Sequence, residues 1–494
     1  MNGSSSSDLQ DSSLQANEQE TKAPPPNRAA RRLAQKKELK EKKMAKNTKS
    51  TTSRLKPRHK SSKITTQTRN PKTNNYEFGG VIGATAIMLF LPLLVILLSY
   101  ACGREGGYSP FLRGYQALKA FELSHGLEQI KNWNYGSALW YLGIVCQLAI
   151  FSTVTPGEEV EGTLLRDGSR LKYKLNALAT LQSFILLTVM ALRGQGWTIF
   201  SWTRTHVGDI ALVSIVFSFI VSLVVYIKSF FGEPLLSLGG NTGNPIYDFV
   251  VGRELNPRIG SFDSKFFTKL RPGLVMWLCL NSCFAVCQWL ELGRVTYSMI
   301  LVNIFQAWYI LDALIHESSL LTTMDITTDG FGFLQVFGNM CWIPMISSLQ
   351  TRYLLDHHVD LNVIFLVCSV VFQFLGYYIS RSATSERDAF YKNPKDPKVS
   401  YLKSMDTRAG KKLIISGWWS KARHINYLGE LLMSVAWCLP CGFASVVPYY
   451  YCVYVIISVI YRERRDEREG RQKYGNDWDR YCSIVKYRII PGIY

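Results

Sequence analysis

Three polar clusters in this 494-residue chain combine residue types that could do chemistry. The first is Asp312, His316 and Glu317, followed by Thr322-Thr323-Met324-Asp325 and Asp329. On a continuing helix the first three fall at i, i+4 and i+5 and share one face, which would seat a proton donor or relay beside an apolar ligand. An interfacial polar turn between two helices would read the same way. The second cluster is Ser416-Gly417-Trp418-Trp419-Ser420-Lys421-Ala422-Arg423-His424-Ile425-Asn426-Tyr427. Aromatic planes and amides suit the rings and ribose of a nucleotide, and cations suit its phosphates. An interfacial aromatic belt shares part of this pattern but leaves the asparagine unexplained. The third is Arg462, Arg464, Arg465, Asp466 and Glu467, then Lys473-Tyr474-Gly475-Asn476-Asp477-Trp478-Asp479-Arg480-Tyr481. A solvated amphipathic end would be charged too, but this one is far more aromatic than solubility needs.

Gly239-Gly240-Asn241-Thr242-Gly243 lacks the spacing of a dinucleotide-binding turn, and Gly330 with Gly332 lacks a third glycine. A dinucleotide, if bound, is therefore held by a non-Rossmann site. Eleven cysteines form no paired framework, and Cys438-Leu-Pro-Cys441 stands in an apolar stretch without a second pair, so no metal site is expected.

The elements that must position these clusters are membrane helices. Hydrophobic residues make up 47% of the chain, and they are segregated. Apolar runs stand at about 79–102, 137–154, 174–193, 208–230, 272–290, 297–315, 332–353, 362–380 and 428–460, the last breaking near Pro440-Cys441-Gly442. They are continuous, not alternating, which excludes a barrel and a soluble globule. The expected fold class is all-α, a polytopic membrane protein with nine to ten transmembrane helices. A disordered basic N-terminal tail precedes it. Residues 1–75 hold 18 Lys and Arg against 6 Asp and Glu, so most of the net charge of +19 sits there. The tail has no aromatic reader and no run long enough to cross a bilayer; it is expected to stay cytosolic against anionic lipid, with nucleic acid not expected as a partner. The run near residue 79 then reads as an anchor and not as a cleaved signal. The domain division is 1–75 for the tail and 76–494 for the membrane part.

Over about residues 78–494 the sequence resembles the sterol reductase family of multi-pass membrane enzymes. The resemblance rests on Pro156-Gly157 with Asp167-Gly168-Ser169-Arg170, on Gly243-Asn244-Pro245-Ile246-Tyr247-Asp248-Phe249 with Gly252-Arg253-Glu254-Leu255-Asn256-Pro257-Arg258, on Leu321 through Phe333, on Trp419–Tyr427 and on the Lys473–Tyr494 ending. Thr322 through Phe333 and Gly252 through Gly260 look most like the delta(14)-sterol (C14) reductases. Relatives include 7-dehydrocholesterol reductase, the C24(28) sterol reductases and the membrane domain of the lamin B receptor.

The resemblance implies an endoplasmic-reticulum enzyme, in a membrane continuous with the nuclear envelope, that uses NADPH to reduce the C14–C15 double bond of a sterol 8,14-diene. Protonation of the alkene would leave a tertiary cation for hydride to capture in a water-poor pocket. Carried over by position, NADPH contacts fall mainly in 381–494, on Arg387, Ile414, Trp419, Asn426, Tyr427, Asp466, Gly470, Arg471, Gln472, Lys473, Tyr474 and Tyr481. His316, Glu317 and Asp325 match the cluster expected to deliver the proton; a helix-capping role is the alternative for Asp325. Tyr391 departs from the family pattern, which has Arg there, and Lys392 is placed to take over the phosphate. Alternative readings are reduction at C7 or C24(28) on the same scaffold, a nuclear-envelope tether resembling the lamin B receptor, and a membrane methyltransferase sharing only the last ~80 residues.

Overall fold

A computed structural model describes residues 69–102, 134–195 and 197–494; most of the expected tail lies outside them. The order is α1 (Gly80–Ala101), α2 (Tyr135–Val154), the hairpin β1 (Glu158–Glu161) with β2 (Lys172–Leu175), α3 (Ala177–Gln195), α4 (Thr198–Thr205), α5 (Val207–Lys228) and α6 (Pro245–Val251). Next come the hairpin β3 (Arg258–Ile259) with β4 (Phe262–Asp263), α7 (Ser264–Leu270), α8 (Pro272–Leu292), α9 (Tyr297–Ile315), a 3-10 turn (Glu317–Thr322) and α10 (Met324–Thr327). The chain continues through α11 (Phe333–Phe337), a π turn (Gly338–Trp342), α12 (Ile343–Ser347), α13 (Leu349–His357) and α14 (Val363–Lys392). It closes with the hairpin β5 (Ser404–Asp406) and β6 (Lys412–Ile414), α15 (Ile425–Cys438), α16 (Tyr450–Tyr474) and α17 (Asn476–Ile484). All three hairpins are antiparallel and two-stranded.

Side-chain caps fix where the long helices begin. Asn134, Thr296 and Asn362 accept backbone N–H groups in the first turns of α2, α9 and α14, and Asp263 does so for α7. Gly293, at φ 68°, closes α8 in the left-handed conformation.

Among the described residues six helices are long and apolar enough to cross a membrane, or seven if the bent pair α3 and α4 is one span. By that measure of length and composition, the described residues do not reach the expected nine to ten. The 332–353 run stays helical from Phe333 to Ser347 through a π turn at Gly338–Trp342, turns only at Ser348, and is nearly all buried in protein between α5 and α8. A continuous apolar run marks a protein interior as readily as it marks a lipid-facing helix. The 428–460 run does divide near Pro440, into the short α15 and the start of α16.

The boundary after residue 75 also shifts. Asn70 accepts the Leu236 N–H (2.9 Å) and donates to the Pro234 carbonyl (3.0 Å), while Asn241 donates to the carbonyls of Asn70 and Pro71. Residues 69–75 therefore pack with the membrane part.

Candidate functional site

The two longest motifs form one interlocked structure. The loops around Gly252 and Gly330–Gly332 cross so closely that a Cβ on Gly252 or Gly330 would fall within the other loop's backbone. Gly252 also has φ 100°, which L side chains rarely adopt. Phe331 N–H donates to the Glu254 carbonyl (2.9 Å), and Ser237 Oγ donates to the Gly252 carbonyl (2.7 Å). The buried Lys265 ammonium donates to the carbonyls of Leu255 (2.9 Å) and Asp329 (2.5 Å). Glu254 binds Lys228 at 2.8 Å, and the Asp329 carboxylate is clasped by the Arg465 guanidinium of α16. Most of the motifs' polar groups are thus spent on the interlock, which holds Asp325 at its edge.

The structure separates the three expected proton-delivery residues. Helix α9 stops at Ile315, so Asp312, His316 and Glu317 do not share a face. His316 Nδ1 contacts the Asp312 carbonyl (2.9 Å) and carboxylate (3.2 Å), and Asp312 also accepts the Tyr377 hydroxyl of α14. Glu317 points the other way and is buried. One carboxylate oxygen accepts the Ala177 N–H (2.9 Å) at the start of α3, and the other faces Arg271 at 3.3 Å. Burial raises its pKa, and the Ala177 N–H and Arg271 oppose that rise. Its geometry is that of a helix-capping carboxylate in a buried pair. Asp325 is about a third exposed and lies 2.6 Å from the Lys269 ammonium, whose charge holds the carboxyl well below the usual range. Arg462 of α16 carries its charge within reach of Asp325, Glu430 and Tyr427, joining this edge to the C-terminal region.

There α14, β6, the segment 419–424 and α17 border a cavity of about 110 Å³, lined by Arg387, Tyr391, Leu413, Ile414, Trp419, Arg423, His424, Trp478 and Tyr481. The Trp419 indole N–H donates to the Ala383 carbonyl of α14 (3.0 Å). Arg387, one turn along α14, then lies with its guanidinium 5.5 Å from the Trp419 ring. Arg423 is anchored by the Val485 carbonyl (2.8 Å) and by Glu467 at 3.6 Å, yet its buried Nε has no partner among the described residues. His424 stacks on Tyr427 (9° between rings) and lies 3.7 Å from Asp466. Burial, with Arg423 next, lowers its pKa to about 4. The Tyr427 hydroxyl donates to Asp466 (3.3 Å). Burial, reinforced by Glu469, pushes the Asp466 carboxyl up to about 6, so its protonation changes near neutrality.

Of the twelve residues expected to contact a nucleotide, Arg387, Ile414, Trp419 and Tyr481 line the cavity, and Tyr427 and Asp466 back it through His424. Tyr474 packs on Trp478. Asn426 is half-buried at the start of α15, beside Tyr427. Gly470 has a packing role: a Cβ there would meet the Trp478 ring at 2.6 Å. Arg471 is engaged with Glu467 (3.0 Å), and it, Gln472 and Lys473 are exposed outside the cavity.

Comparison with known proteins decides the family. The model of the Ergosterol biosynthesis ERG4/ERG24 family matches residues 72–494. The chain belongs to that family. It is 43% identical over 423 residues to the Delta(14)-sterol reductase erg24 of Schizosaccharomyces pombe, covering 85% of this chain and 97% of the relative. It is 38% identical over 447 residues to the Delta(14)-sterol reductase ERG24 of Saccharomyces cerevisiae (86% and 99%) and 41% identical over 424 residues to the Delta(14)-sterol reductase TM7SF2 of Mus musculus (85% and 97%). Within this ERG4/ERG24 chain, Leu413 is the cavity residue that the sequence did not point to; Arg423, His424 and Trp478 belong to the second and third clusters but not to the contacts carried over by resemblance. The aromatic and cationic mixture of Trp418–Tyr427 and Lys473–Tyr481 is the signal that marks those three.

Proposed function

We propose that the chain reduces the C14–C15 double bond of sterol 8,14-dienes with NADPH, in the endoplasmic-reticulum membrane with the N-terminus cytosolic. The observation that carries the reading is the C-terminal cavity, where Arg387, Arg423 and the rings of Tyr391, Trp419, Trp478 and Tyr481 converge beside the Tyr427–Asp466 pair. The relatives, each a Delta(14)-sterol reductase by name, support the substrate class. The donor set fits a nucleotide: the unpartnered Arg423 Nε is a buried donor awaiting an acceptor, and Trp419 offers a fixed plane. A space of about 110 Å³ takes one ring or phosphate of a dinucleotide and not the whole. Arg387 and Arg423 would hold anionic oxygens, and Trp419, Tyr391 and Tyr481 would flank a ring.

When bound, NADPH supplies the hydride. Held ionised by Lys269, Asp325 is suited to stabilise positive charge developing on the sterol and not to give up a proton. The proton is assigned to the Tyr427–Asp466 pair, whose carboxyl titrates near pH 6. Glu317 stays structural.

Sterol profiling by gas chromatography–mass spectrometry tests the reading. Cells lacking the protein should accumulate 8,14-dienes, reversed by the wild type and not by Asp466→Ala. Accumulation of 5,7-dienes or 24(28)-enes would move the reacting bond, and an unchanged profile would sink the enzymatic reading.

A further inference from the structure

Residues 69–78 form a strap that reaches α16, the helix backing the cavity. At its near end Asn70 is tied into the 234–241 loop, and Thr73 N–H donates to the Asn241 carbonyl (3.1 Å). At its far end Glu77 N–H donates to the Tyr247 hydroxyl (2.7 Å), and Tyr76 stacks edge-on against the same ring.

The strap then turns sharply. Phe78, Gly79 and Gly80 have φ of 56°, 77° and 74°. For phenylalanine the left-handed region is costly, so something must hold Phe78 there. Two features do. Gly83 lacks the Cβ that would run into the Phe78 carbonyl, and the Phe78 ring stacks on Tyr461 of α16 at 5.3 Å. The turn also presents Glu77 to α16. Its carboxylate accepts the Tyr461 hydroxyl (3.0 Å) and faces Arg465 Nε at 3.8 Å.

Tyr461 and Arg465 are i and i+4, one face of α16. That face is gripped by the strap on one side and by Asp329 on the other. Arg462 and Asp466, the next residue in each case, form the adjoining stripe directed at Glu430 and Tyr427. A small rotation or slide of α16 would therefore move Asp466 against Tyr427 and His424, and Glu467 against Arg423. We propose that Glu77 and Phe78 are positioning residues for the nucleotide site, holding α16 in the register at which its carboxylates order the cavity. The proposal rests on the cofactor reading above. It explains a strained non-glycine turn that anchoring alone does not require.

The test uses the full-length protein in lipid nanodiscs, with NADPH titrated directly and in steady-state turnover. Glu77→Gln keeps an acceptor for Tyr461 but removes the charge facing Arg465; we expect the NADPH Kd and KM to rise about tenfold, with kcat falling as well because Asp466 shifts with α16. Tyr461→Phe should raise KM by a smaller factor, and the double variant should raise it by less than the product of the two, because they act through one contact. Lys72→Ala, exposed on the same strap, is the control and should match the wild type. Tyr461→Phe keeps the proposal testable should Glu77→Gln not fold. Unchanged NADPH affinity in both variants, or a fall in kcat and yield at constant KM, would overturn the proposal and leave the strap an anchor. A wild type that binds no NADPH overturns the cofactor reading and this proposal with it; normal binding by the wild type and by both variants overturns this proposal alone.

Discussion

The interlock of the 234–263 and 325–333 loops and the C-terminal cavity are equally dense in polar and aromatic residues, yet their polar groups are used in opposite ways. In the interlock, Lys265 binds backbone carbonyls, Glu254 binds Lys228, and Asp329 binds Arg465; the buried atoms left over are one Asn256 oxygen and one Arg258 nitrogen. In the cavity, rings and cations line open space, and the Arg423 Nε points at no partner among the described residues. Motif density marks both regions; open space lined by rings and cations marks the one that can take a ligand.

The comparison breaks most sharply at the crossing glycines. Gly252→Ala or Gly330→Ala puts a methyl into the facing backbone, so the expected cost exceeds about 4 kcal/mol and folded protein should be lost from detergent extracts by size-exclusion chromatography. In the cavity the opposite pattern is expected. Trp419→Ala or Asp466→Ala should lower kcat/KM for NADPH-dependent turnover by roughly 100-fold at normal protein level.

Asp466→Asn sharpens the point through pH. The Asp466 carboxyl is raised to about 6 in the folded chain, above its unfolded value. Its contribution to stability is therefore full below the unfolded value and lost as pH rises through about 6. Turnover by the wild type should fall over the same window as the proton leaves. The asparagine variant should flatten both the thermal-unfolding and the rate profiles; a wild-type profile level across pH 5–7 would remove Asp466 from proton supply. A smaller effect is expected at Tyr391, which lines the cavity with its hydroxyl spent on the Lys412 carbonyl (2.9 Å). Tyr391→Arg should lower the KM for NADPH two- to fivefold, the range of a half-exposed ion pair, and leave that for NADH unchanged.

Where the sequence was legible, the physics was local. Uninterrupted apolar runs of about 20 residues located α1, α2, α5, α8, α9 and α14, because a lipid-facing helix needs little else. The run at 332–353 is helical as its apolarity implies, but nearly all buried, a difference from lipid exposure that one dimension does not show. The end of α9 at Ile315 carries no glycine or proline, so the sequence left a shared face and an interfacial turn as rival readings, and the structure has the turn. The mixture of rings and cations did point to the cavity. The place of Leu413 in its wall, and the strap from Glu77 to α16, depend on contacts between residues far apart in the chain. No local pattern announces those.

The most direct test of the central claim is to supply the purified protein in nanodiscs with NADPH and a sterol 8,14-diene, and to follow NADPH oxidation together with the product's mass and double-bond position. The account predicts diene-dependent oxidation, one NADPH per sterol, yielding a product that lacks the C14–C15 double bond, and its loss in Trp419→Ala. NADPH left unoxidised, or a product reduced elsewhere while the C14–C15 bond persists, would contradict it.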